Sequence, residues 1–113
     1  MAISEIASKR ATTQGNNVTS LALAVPGGIS AANNLIVVAG AAWTGTSEIG
    51  ISVSDTKGTS FSVYKSSFGT YINLFIAIGK APSSGADTVT VSYTGGSINA
   101  SISLDLFQGQ DLT

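Results

Sequence analysis

Six carboxylates are the first side chains to weigh for chemistry: Glu5, Glu48, Asp55, Asp87, Asp105 and Asp111. General acid–base cleavage of a glycosidic bond needs two of them facing each other across a cleft. Asp55, Asp87 and Asp111 lie in turn-like or terminal sequence, where Asp recurs because its side chain bonds nearby backbone. Asp105 is the exception, set in the middle of an alternating stretch. Histidine is absent, which removes the commonest general base and the commonest metal ligand together. Cysteine is absent too, so the chain predicts no thiol chemistry and no disulfide. No zinc, copper or haem site is expected from such a residue set, and no Ser-His-Asp or Cys-His arrangement can form within it. Neither a D-x-D-x-D-G calcium loop nor a glycine-rich phosphate cradle occurs. The expectation is a chain that is not an enzyme and uses no cofactor.

Binding is the alternative, and composition bears on it. Hydrophobic residues make up 43% of the chain and charged residues only 10%, with a net charge of −1. A surface built on Ser, Thr, Asn and Gly loses little hydration energy when a partner docks. Lys9, Arg10, Lys57, Lys65 and Lys80 are scattered, which argues against nucleic acid, since that partner rewards clustered cations. Among the aromatic residues, Trp43 closes an apolar run beside Thr44-Gly45-Thr46. Residue type places it as a plug at the end of a core, whereas a sugar-binding surface would need it exposed. Tyr64 follows an inward-reading Val63 and is expected to point outward.

The elements that must hold these residues are strands. In "SINASISLDLFQG", Ile98, Ala100, Ile102, Leu104 and Leu106 share one side of an extended chain, and Asn99, Ser101, Ser103, Asp105 and Phe107 the other. The first set predicts a core face. The second is either the wet outside of a sheet or a flat hydrogen-bonding contact surface. "NNVTSLALAV" alternates as one strand up to the Pro26-Gly27-Gly28 breaker, and Asn33-Asn34 suits the turn before the next. "LIVVAGAAW" is apolar on both faces, as expected of a central strand covered on both sides, and its small residues leave room for something bulky. In "TYINLFIAIGK", Ile72, Leu74, Ile76 and Ile78 share a face opposite Tyr71, Asn73, Phe75 and Ala77. Asp55 is placed to cap the "DTKGTS" turn, where Gly58 can take positive φ. With a weak first strand near Ser4 to Ala11, about eight strands follow at spacings of roughly ten residues. The pattern predicts an all-β fold: one antiparallel β-sandwich over residues 1–113, jelly-roll or Ig-like.

No secretory signal or bilayer-spanning run is expected, since "MAISEIASKR" lacks an apolar stretch and "LIVVAGAAW" is too short to cross as a helix. The sequons at Asn17 and Asn99 read as products of an Asn-, Ser- and Thr-rich composition.

"VTSLALAVPGGISAANNLIVVAGAAW", "SVSDTKGTSFSVYK" and "LFIAIGKAPSSGADTVTVSYTGGSINASISLDLFQGQD" together resemble a β-sandwich domain of phage structural proteins and bacterial surface proteins. The resemblance spans residues 17–111. For a stand-alone copy it implies a virion component on the outer capsid surface. Such a component would be a capsid decoration (cement) protein or head fibre, partnered with the major capsid protein or other virion subunits and forming a homo-oligomer. It carries over no catalytic residues. The candidate contact residues are then Ile3, Ile6, Lys9 and Arg10, on an arm or weak edge strand over residues 1–10 that could complete a partner's sheet, and Asn99, Ser101, Ser103 and Asp105. The other class is a carbohydrate-binding or receptor-binding module using Trp43 on a glycan.

Overall fold

The computed structural model describes residues 3–44, 49–68, 72–95 and 98–108. Among the described residues, strong period-two patterning produces nine strands: β1 (Ser4–Glu5), β2 (Ala11–Val18), β3 (Ser20–Ala24), β4 (Leu35–Trp43), β5 (Gly50–Asp55), β6 (Phe61–Phe68), β7 (Ile72–Lys80), β8 (Thr88–Thr94) and β9 (Ile98–Gln108). They form two antiparallel sheets, β1-β9-β4-β7-β6, with β2 also paired to β9, and β3-β8-β5. The pairs β2–β9, β3–β8 and β4–β7 are nested like a long hairpin rolled on itself, the jelly-roll form of a β-sandwich.

The core lies between the sheets. Ile98, Ala100, Ile102, Leu104 and Leu106 of β9 are all buried there, facing Val89, Val91 and Tyr93 of β8 and Leu21 of β3. Asn33 adopts φ 72 in the predicted turn, and the buried Asn34 holds it by accepting the Ala31 N–H at 3.0 Å. Asp55 caps its turn, accepting the Thr59 N–H at 2.7 Å and the Thr59 hydroxyl at 2.5 Å, with Gly58 at φ 74.

Several expectations need correction. "NNVTSLALAV" is not one strand. Asn17 turns left-handed (φ 55), and the chain leaves β2 in one sheet to enter β3 in the other. The inward parity slips across the break, from Ala11, Thr13 and Gly15 through Val18 to Leu21 and Leu23, because each half owes one face to the same core from a different sheet. The predicted first strand shrinks to β1, followed by a 3-10 turn at Ala7–Lys9. β4 is central but covered on one side only: Ile36, Val38 and Ala42 are buried, whereas Leu35, Val37, Ala39 and Ala41 are half-open on the outer face.

The bulky neighbour anticipated for the small residues of β4 is Phe75, which pairs with Gly40 in register. A Cβ on Gly40 would collide with the Ser101 carbonyl oxygen and come within 2.8 Å of the Phe75 ring. Gly40→Ala is therefore expected to lower the unfolding free energy by about 1–3 kcal/mol through overpacking. Urea denaturation measures this, and an unchanged midpoint would refute the packing.

Candidate functional site

The open face of the larger sheet is the candidate site, and register assembles it row by row. Thr12, Ser103, Ala39, Ile76 and Tyr64 lie across one row; Gln14, Ser101, Ala41, Leu74 and Ser66 across the next; Asn99, Trp43 and Ile72 across a third. Two textures result. Along β7, Ile72, Leu74 and Ile76 stand 45%, 42% and 40% exposed and form an aliphatic ridge. Beside it, Ala39, Ala41, Ser101 and Ser103 floor a trough of about 740 Å³, walled by Thr12 and Gln14 on one side and Leu74 on the other. The other sheet's outer face is dressed differently, with Ser20, Ser52, Ser54, Thr90 and Ser92 facing out. One outer face is thus ordinary wet sheet. The other leaves large aliphatics uncovered, which makes it the candidate contact surface.

Trp43 belongs to this open face and does not plug the core. Odd-numbered residues of β4 point out, leaving its ring 48% exposed beside Gln14, Asn16, Asn99 and Ser101. Tyr64 is exposed as expected, two strands and two rows away.

The predicted contact residues divide. Ser101 is exposed, and the Ser103 hydroxyl lies 3.5 Å from the Ala39 carbonyl oxygen. Asn99 works for its own fold, accepting the Asn17 N–H at 3.1 Å where the chain changes sheets. Asp105 joins Glu5 and Arg10 at one end of the face, with Arg10 Nε 3.2 Å from Asp105 Oδ1 and 3.5 Å from Glu5 Oε2. Glu5 is shifted upward from its ordinary value, first because it shares a hydrogen bond with Asp105. Residues 3–10 lie against their own sheet rather than as a free arm: Ser4 and Glu5 form a two-residue edge strand paired with Gln108 and Phe107, the Ile6 N–H bonds the Leu106 carbonyl at 2.8 Å, and Ala7–Lys9 make a 3-10 turn. Ile6 packs against the core, Lys9 is half-buried, and Ile3 stays exposed.

Sequence reading missed one constellation, because its members lie on separate loops. Asp87, only 3% exposed, meets Asp55 where the β5–β6 turn touches the loop before β8. The Thr56 hydroxyl donates to Asp87 Oδ1 at 3.0 Å, while Asp87 Oδ2 is buried without an N–H or O–H donor among the described residues. Lys57 ties the same loops through Ser83 Oγ (3.1 Å) and the Ser84 carbonyl (2.7 Å). Burial, then the hydrogen bond with Asp55, pushes Asp87 up to about 6. Burial also raises Asp55, but bonds from Thr59, Asp87 and the Lys57 backbone outweigh it, so Asp55 titrates low. Below about pH 6 the pair therefore carries one proton, held on Asp87 beside an ionised Asp55. That arrangement clamps loops, whereas sugar hydrolysis needs carboxyls about 5 Å or more apart with a substrate between them. Glu48, Tyr71 and Asp111 lie outside the described residues.

Among the described residues no helix is long and apolar enough to cross a membrane, and no cluster of three or more acidic residues could hold a metal ion. No protein-family model, curated protein or solved structure matches the chain. Fold and site together define its class: a jelly-roll β-sandwich with one uncovered, nearly uncharged sheet face.

Proposed function

We propose that this chain is a non-enzymatic structural protein of a virion, a decoration or head-fibre component that attaches to a shell by multivalent contacts. The observation that carries the reading is the open face, on which aliphatic side chains and small hydroxyls replace charge over nearly the whole sheet. Such a face sheds water at little expense and suits repeated, modest contacts, whether between copies of the chain or with the shell, whose number makes attachment durable. The resemblance to domains of phage structural proteins supplies the virion as the setting.

The test is quantitative mass spectrometry of purified virions from the genome that encodes the chain. The expected result is a fixed ratio of this chain to the major shell protein. Its absence from virions, or turnover of a substrate by the purified protein, would overturn the reading. The exposed Trp43 beside Gln14, Asn16 and Asn99 favours a second reading, a glycan-binding module. Glycan-array binding abolished by Trp43→Ala would establish that reading instead.

A further inference from the structure

We infer that the open face is covered by a second copy of this chain, in a face-to-face dimer whose twofold axis runs along β4. This rests on reading the face as a contact surface, and it leaves shell attachment to the outer surfaces of the dimer. Three features of the face specify a copy of itself as occupant.

The first is relief. Ridge and trough lie side by side on one face, the ridge on β7 and the trough floored by its neighbour β4 and by β9 beyond it. A twofold parallel to the strands exchanges left with right and keeps height along the strand. It therefore lowers Leu74 and Ile76 of each copy onto Ser101 and Ser103 of the other and Tyr64 toward Thr12, while on β4 itself Ala39, Ala41 and the exposed Trp43 each meet their own counterpart. An isologous contact demands this self-complementarity. A partner presenting only a ridge or only a trough would leave half the face unmatched.

The second is charge. Among the described residues, ionic groups on this face are confined to one end, where Lys80 continues the β7 row and Asp105, Glu5 and Arg10 sit across β4 from it. The same rotation carries each Lys80 toward the other copy's carboxylate end, so no like charges are forced together in the middle.

The third is area. Strands about 4.8 Å apart, each rising about 3.3 Å per residue, make a face of roughly 20 by 30 Å. Two such faces bury on the order of 1,200 Å², the lower end of specific protein interfaces. Sheets stacked face to face about 10 Å apart are a standard packing.

The experiment is sedimentation velocity on the full chain over a range of concentrations, expecting a rise from the 11.3 kDa monomer toward twice that mass. Leu74→Asp puts an unpaired charge under the interface and is expected to weaken association about 100-fold or more. Ala41→Trp fills the trough and has the same effect without adding charge. Thr90→Asp, on the other outer face, leaves association unchanged, and circular dichroism confirms that each variant folds. Since the chain has no cysteine of its own, Ala41→Cys offers a direct readout. A short bismaleimide is expected to join two copies through position 41 and not through Ser52→Cys. A chain monomeric at every concentration, a dimer indifferent to Leu74→Asp and Ala41→Trp, or cross-linking through position 52 instead of 41 would each overturn the inference. Virion incorporation is measured separately: a monomer found in virions defeats the dimer alone, and a dimer missing from virions defeats the virion reading alone.

Discussion

Asp87→Asn is expected to stabilise the protein at pH 7 and to leave its stability near pH 4 almost unchanged. Asp87 titrates near 6 in the folded chain against an ordinary value of 3.8. The folded state therefore holds a proton that the unfolded state has already released between these two values. Stability falls with rising pH wherever the folded state binds more protons. This contribution is fully present below pH 3.8, declines as pH rises toward 6 and is gone above it. Asp55, shifted the other way, contributes stability above its ordinary value that disappears as pH falls further. The two slopes meet near pH 4, which is the expected optimum for this pair. From there to pH 7 the shift of Asp87 corresponds to a loss on the order of 2–3 kcal/mol. An Asn amide can donate to Asp55 and still accept from Thr56, taking the place of the shared proton at every pH. The variant should show a flat profile from pH 4 to 7 in chemical denaturation, with the gain over wild type confined to the upper end. A wild-type profile that rises from pH 4 to 7 would show that the two carboxyls do not share a proton.

The contrast between β9 and β7 explains how much of this molecule is legible in its sequence. On β9 the alternation sets Ile, Leu and Ala against Asn, Ser and Asp, so the core face is evident, and all five predicted residues are buried. On β7 both faces are apolar, and hydropathy favours the wrong one. The four-residue Ile and Leu face looks outward, while Asn73, Phe75, Ala77 and Gly79 look inward. Asn73 is tolerated inside because the Ser67 hydroxyl donates to its Oδ1 at 2.7 Å. What fixes the parity is tertiary: Phe75 needs the gap at Gly40, and Gly79 lies too close to Thr59 and the Phe61 ring to carry a side chain. The open face was half legible for the same reason. Ser101 and Ser103 could be placed on it from β9 alone. Its aliphatic ridge and its exposed Trp43 could not, because each depends on which way a doubly apolar strand turns. The Asp55–Asp87 clamp had no local signal, since each Asp by itself reads as a turn residue.

The parity of β7 can be tested directly, and a proposal built on an uncovered aliphatic face depends on it. Phe75 is 5% exposed and fills the space over Gly40, so Phe75→Ala removes a packed ring from a core that has few ways to collapse around the void. The expected loss is about 3–5 kcal/mol, a large part of the roughly 5–15 kcal/mol that holds a typical domain together. Ile76 is the next residue along, with a side chain of comparable hydrophobicity that stands 40% open to solvent. Ile76→Thr, measured at dilutions that keep the chain monomeric, should change the unfolding free energy by no more than about 0.5 kcal/mol. At high concentration the same substitution should destabilise further, because association stabilises only the folded state by mass action. Hydropathy alone would rank the two effects in the opposite order. Equal losses would mean that β7 is covered on both sides within one chain, and a larger loss at Ile76 would mean that the strand is turned over. Either result would leave no ridge for a second copy to bury.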